Sequence, residues 1–341
     1  MSLYIKNLNK DQIITSYNFA RNSDFVYSEV VSKEQYKELK NEYTEIIEED
    51  EYSIFYKTRK INLKENDVIF CNTYFLKSLF NDLRNIRNLK NLKLITNQTD
   101  QKIDRKLFNK KPKCINKWYG INIEYNSSDL IPIPLGMSND WSPKNLMKSH
   151  YGLLNNDDKK IDKVYVNFEV NTNFFHRNRV LNYLVGRDFF NIEKTKLDLF
   201  EYLVQINKHK YTLCPLGNGY DTHRLWETLY AQSIPIVFTH QTYKSVEGLP
   251  VIKVNTLNDL NETTIKKKFR DLQTTSYEKL NINWWINKIN EEKIDNKEIY
   301  EHLKPINSTQ NSITEYKKIM KKLKYQKKIS TNLRKAYKKL T

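Results

Sequence analysis

The sequence predicts an α/β protein of two halves, followed by a basic helical tail. Three observations carry this. Short apolar runs alternate with stretches of helical spacing, the alternation restarts near residue 160, and the Lys-rich end of the chain repeats its apolar residues at helical intervals. With 341 residues the chain has room for two domains of about 150 residues each. The expected boundaries are 1–150, 160–300 and 301–341, with a polar joint at "HYGLLNNDDKK".

In chain order, "SKEQYKELKNEYTEIIEEDEY" has helical spacing at Tyr36, Leu39, Tyr43 and Ile46 or Ile47, with an acidic end. "DVIFC" reads as a buried strand at 67–71 and the residues after it as a helix. A second strand is expected at about 92–96, in "NLKLITNQTD", and "DLIPIPLGMSND" is another short apolar run. In the second half, "KVYVNFEV" alternates as a strand over 163–170, and the helix after it ends at Gly186. "LDLFEYLVQINKHK" is a helix, "YTLC" a strand and 221–231 a helix. "SIPIVFTH" and "LPVIKVNTL" supply two further strands. Strands separated by helices point to parallel sheets.

The three cysteines, Cys71, Cys114 and Cys214, are far apart and show no CxxC spacing, which argues against a disulfide framework and a zinc site. "MSLYIKNLNKDQ" has no signal-like apolar run, and no stretch approaches the roughly 20 apolar residues of a membrane span. A cytoplasmic location is expected. The net charge of +17 is uneven: residues 312–341 hold eleven Lys or Arg and one Glu, which leaves +7 for the first 311. Ile313, Tyr316, Ile319 or Met320 and Leu323 recur at helical spacing, as do Ile329, Leu333, Ala336 or Tyr337 and Leu340. Such a basic amphipathic helix packs on the protein or lies on an anionic membrane surface. The alternative class, a non-catalytic anion- or nucleic-acid-binding protein, draws on the charge and the 13% aromatic content. A nucleic-acid binder needs basic residues over a folded face. Here the excess lies in the tail, and nucleic acid is not an expected partner.

The stretch that most invites a ligand is "GNGYDTHRLWE", 217–227. It joins the carboxyl end of a strand to a helix, the side on which open α/β sheets bind ligands. Gly217 and Gly219 allow close backbone approach, Asp221 is expected to cap the helix, and Thr222 stands beside it. Wound as a helix, His223, Arg224, Glu227 and Thr228 share one arc and the apolar residues take the other. The free N–H groups of the first turn, with His223 or Arg224, suit a phosphate, and Glu227 suits sugar hydroxyls. The glycine spacing is neither that of a P-loop nor that of a dinucleotide fingerprint. Arg177 or Arg179, in "NTNFFHRNRV", would add charge to the same ligand. Across the cleft, Asp100 and Asp140 close strand ends of the first half and are the candidate general bases; Asp100 has a competing role as a helix cap. His150 and His176 read as structural or surface residues. No DxD follows an apolar strand, and Asp157–Asp158 read as solvated.

"YTLCPLGNGYDTHRLWETLYAQSIPIV" resembles the donor-binding motif of exostosin-like glycosyltransferases and is similar to that of α1,3-fucosyltransferases. "LITNQTD", "INKWYGINI", "IPIPLGMSND" and "YVNFEVNTNFFHRNRV" extend the likeness over roughly 65–240. The motif departs from the exostosin pattern at Gln232–Ser233, where a Gly-Cys pair is commoner. The resemblance implies a GT-B fold, two Rossmann-like domains facing across a cleft, with the acceptor on the first and the nucleotide sugar on the second. It implies that Arg224 meets a diphosphate and Glu227 the ribose or base-proximal sugar. The expected activity is inverting, metal-independent sugar transfer from a nucleoside diphosphate sugar to a glycan or lipid-linked glycan acceptor, with no further cofactor.

Overall fold

The structure is a computed structural model and describes residues 4–139, 145–154, 159–272, 276–291, 299–303 and 309–340. In the first half the strands are β1 (Phe25–Ser32), β2 (Thr44–Glu49), β3 (Ser53–Thr58), β4 (Ile61–Lys64), β5 (Val68–Asn72), β6 (Leu92–Asn97), β7 (Ile115–Gly120) and β8 (Leu130–Pro132). Seven of them form a sheet in the order β2-β3-β1-β5-β6-β7-β8. β1, β5, β6, β7 and β8 run parallel, and β3 is antiparallel to both β1 and β2. β5 and β6 are buried along their whole length, which is why they read as unbroken apolar runs.

The second half holds β9 (Ile161–Val166), β10 (Phe190–Ile192), β11 (His209–Leu213), β12 (Ile234–Phe238) and β13 (Ile252–Val254). These form an all-parallel sheet in the order β10-β9-β11-β12-β13. The order reverses between β9 and β11, so the chain leaves these two neighbours in opposite directions and opens a crevice at their carboxyl ends. The helix Phe174–Leu184 stops as expected: Gly186, at φ +78°, takes the left-handed turn that a side chain would resist.

The chain then returns to the first half. The helix Ile282–Asn290 lies against it, with the Lys93 ammonium donating to the Ile289 carbonyl at 2.5 Å. The last strand, β14 (Tyr300–Leu303), pairs antiparallel with β4. One apolar cluster runs through both halves, taking in Phe70 and Tyr119 from the first and Trp226, Tyr230 and Trp285 from the second. The Tyr230 hydroxyl ties three segments, accepting from Ile14 N at 3.0 Å and donating to Leu280 O at 2.6 Å. A helix from Thr309 to Leu340 ends the described chain; Ile313 and Tyr316 pack on the first half and Tyr337 meets Phe174 and Phe175 of the second.

The expected helix through Tyr36–Ile47 is cut short. It ends at Leu39, and Ile46 and Ile47 belong to β2. Asn41 turns the chain between them, its side-chain oxygen accepting from Tyr43 N at 2.8 Å. All three cysteines are free and buried. Among the described residues no helix is long and apolar enough to cross a membrane.

Candidate functional site

The crevice at the β9/β11 switch point faces the carboxyl ends of β6 and β7. Between them lies a cleft of about 350 Å³. From the first half it is lined by Ser16, Tyr74, Asn97–Asp100 and Asn122 among others, and from the second by Thr172, Arg177, Gly217–Gly219 and Asp221–His223. Most of the candidates read from the sequence therefore converge.

Arg177 is 6% exposed. Its guanidinium donates to three backbone carbonyls, Leu216 at 2.8 Å, Glu169 at 2.8 Å and Pro215 at 3.4 Å, and so clamps the loop after β11 to the loop after β9. That uses three of its five N–H donors. Burial, then the charge of Arg224, pushes its pKa down to about 10. Its hydrogen bonds go to carbonyl oxygens and not to a carboxylate. Arg179 is exposed and does not line the cleft.

Arg224 and Glu227 lie one step further round the helix His223–Tyr230, beside Tyr202 rather than on the cleft wall. The Arg224 guanidinium sits 5.0 Å from the Tyr202 ring centre, and the Tyr202 hydroxyl donates to Glu227 Oε2 at 3.0 Å. Burial works against the Arg224 charge, but Tyr202, Cys214 and Glu227 outweigh it and its pKa rises. Arg224 Nη1, the Tyr165 hydroxyl at the end of β9, and Thr222 Oγ1 are all shielded from solvent without a hydrogen-bond partner. Burial pushes the Tyr165 hydroxyl up to about 12. Thr228 departs from the expected polar arc: it is fully buried, near the Cys214 thiol.

Two further expectations change. Asp221 does not cap the helix; Thr222 holds that position, and its side chain makes no capping bond. Asp221 is instead a buried junction. Its two carboxylate oxygens share the single Trp226 Nε1–H, each at 3.0 Å, and accept from Thr222 N at 2.8 Å and, across the halves, from Leu135 N at 2.9 Å. Burial pushes its pKa up to about 7 against those donors. Gly219 is needed for packing against the other half: a Cβ there would stand 2.6 Å from Asn122 Oδ1. At Gly217 a Cβ would meet Thr222 Cγ2 at an ordinary 3.4 Å.

His223 Nδ1 lies 2.9 Å from the Gly136 carbonyl. A carbonyl only accepts, so Nδ1 carries the proton, and in the neutral ring Nε2 is an acceptor rather than the phosphate donor expected. Asp100 is exposed on the opposite wall and caps nothing; Asp104 takes that role for Arg105–Phe108, accepting from Leu107 N at 2.7 Å. Asp140 and Asp157–Asp158 lie outside the described residues. His176 packs edge-on to Phe238, and His150 bonds its own backbone turn.

No protein-family model and no curated protein matches this chain.

Sequence reasoning missed Tyr165, Tyr202, Gln98 and Asn122. The two tyrosines fall within an expected strand and an expected helix, with no motif around them that points to a ligand. Gln98 and Asn122 adopt φ +74° and +53° at the cleft, a strain that no residue type announced. Asn122 Oδ1 accepts from Tyr220 N at 2.7 Å and Asp221 N at 3.2 Å, so it holds the loop that forms the far wall.

Proposed function

We propose that the protein is a glycosyltransferase of the GT-B type that binds a nucleoside diphosphate sugar on its second half. The observation that carries this reading is the cleft at the second sheet's switch point, where Arg177, Gly217–Gly219 and the helix start at His223 face Asn97–Asp100 of the first half. A largely buried guanidinium beside the free N–H groups of a helix start fits a diphosphate. The resemblance assigns Glu227 to the ribose or base-proximal sugar, for which its carboxylate would exchange the Tyr202 hydroxyl it now accepts from. The likeness of 211–237 to exostosin-type donor motifs supports the same reading.

The reaction follows from these parts. An acceptor hydroxyl entering from the first half attacks the anomeric carbon opposite the diphosphate. The new C–O bond forms as the bond to the β-phosphate oxygen breaks, and the diphosphate leaves with the electron pair. The acceptor proton passes to Asp100 or to His223 Nε2, which line the cleft from opposite sides. Arg177 and the first turn of the helix stabilise the leaving charge without help from a metal, and Arg224 adds its charge from behind the cleft wall. The acceptor is a glycan, free or lipid-linked.

Titration with UDP, GDP and CMP tests the donor site. One nucleotide should bind, and Arg224→Ala and Glu227→Ala should each weaken it by about tenfold or more with the fold intact. Unchanged affinity in both folded variants overturns the assignment. Transfer should persist in excess EDTA; loss on chelation with recovery on adding Mn²⁺ overturns the metal-independent route.

A further inference from the structure

We propose that the terminal helix and the groove beside its first turns form one face that docks on a lipid surface bearing anionic headgroups. The helix Thr309–Leu340 presents two different sides. Its inner side packs: Tyr316 sits edge-on to Phe55 at 5.0 Å, and Ile319, Met320 and Leu323 are half-buried. Its outer side carries a second apolar line, Tyr325, Ile329 and Leu333, exposed by 66%, 43% and 53%. These are spaced four apart, so they stack on one face. Lys318 and Lys322 extend the same line toward the start of the helix, and both are exposed.

That line leads into a groove of about 970 Å³ between the helix and the first half. Its floor is apolar, with Leu76, Phe80 and Ile319. Its rim is cationic: Lys77, Arg84, Lys110, Lys113 and Lys318 stand there against the single carboxylate of Glu315, while the half-buried Lys111 donates inward to the Ile115 carbonyl. Lys77 engages that carboxylate at 3.8 Å, which leaves a strong positive excess. An exposed apolar stripe continuous with a cation-rimmed apolar groove needs a partner with both characters at once. The interface of an anionic bilayer has both, with headgroup charge above and hydrocarbon below. A purely charged partner would leave Tyr325, Ile329 and Leu333 in water.

The inference stands apart from the transferase reading and is tested without turnover. Full-length protein is floated with vesicles of phosphatidylcholine, alone or mixed with phosphatidylglycerol. It should float with the mixed vesicles only, less so at high salt. Replacing Tyr325, Ile329 and Leu333 together by Ser, at exposed positions that leave the fold stable, should weaken partitioning by about tenfold or more. Lys110→Glu, Lys113→Glu and Lys318→Glu together should do the same. Equal flotation with neutral vesicles, no flotation at all, or a serine triple that partitions like the parent each overturns the proposal. Retention on heparin as strong as on vesicles, with the serine triple unchanged on both, assigns the surface to charge alone and also overturns it.

Discussion

Gly219→Ala tests whether that glycine serves the packing of the two halves or a ligand. An added Cβ would lie 2.6 Å from Asn122 Oδ1, 2.7 Å from Nδ2 and 2.9 Å from Cγ, closer than folded proteins permit. The Asn122 amide has to move. It is held by Thr99 O, at 3.3 Å from Nδ2, and by the N–H groups of Tyr220 and Asp221, at 2.7 and 3.2 Å from Oδ1. Displacing it breaks these bonds and leaves buried N–H groups unpaired, for a loss of roughly 2–4 kcal/mol. Urea denaturation should show a lower midpoint at unchanged slope. A double-mutant cycle isolates the cause. Asn122→Gly alone removes the same bonds, and adding Gly219→Ala to it should cost less than about 0.5 kcal/mol more, because the clash has gone. Additive losses in the double variant refute the reasoning, as does a stable Gly219→Ala protein that has lost only nucleotide affinity.

Gln232→Gly should stabilise the protein by roughly 0.5–1 kcal/mol in the same assay, because Gln232 sits at φ +54° after the helix His223–Tyr230, with Gln232 N bonded to Leu229 O and Ser233 N to Thr228 O; a loss would contradict it. Asp221→Asn should change the pH dependence of stability. Its folded pKa of about 7 lies above the unfolded value of 3.8, so the native state holds a proton that the unfolded chain has released between these values. The Asp221 contribution is therefore full below pH 4 and is lost as pH rises toward 7, at up to about 1.4 kcal/mol per pH unit. The difference in unfolding free energy, Asp221→Asn minus parent, should rise across that window, and a flat difference would refute the shift.

The second half was legible because its parallel strands are buried on both faces. "YTLC" and "IPIVF" therefore stand out as apolar runs between helices. The first sixty residues were not, because β2, "TEIIEE", buries only Ile47 and its apolar residues fall in phase with the helix before it. The Asn41 turn was the local signal that separates them. At the site, spacing alone brought Gly217, His223 and Arg177 to one cleft. It misplaced Asp221, because a carboxylate before a helix can turn inward to an indole five residues on, and the partner across the halves is set only by tertiary packing. The departure from the motif at Gln232 is conformational: a position that favours glycine holds a glutamine.

The terminal helix also sets mechanical limits on the cleft. Its 32 residues span roughly 48 Å. Near its start Tyr316 is locked between Phe55 and Phe75, and near its end Tyr337 meets Phe174 at 5.8 Å while Arg334 lies over the same ring. A rod fastened at both ends acts as a splint. Opening the angle between the halves requires the Tyr337 end to peel from Phe174 and Phe175 or the rod itself to bend. Phe174 begins the helix that carries Arg177, so the splint ends one turn from the cation that clamps the two loops of the crevice.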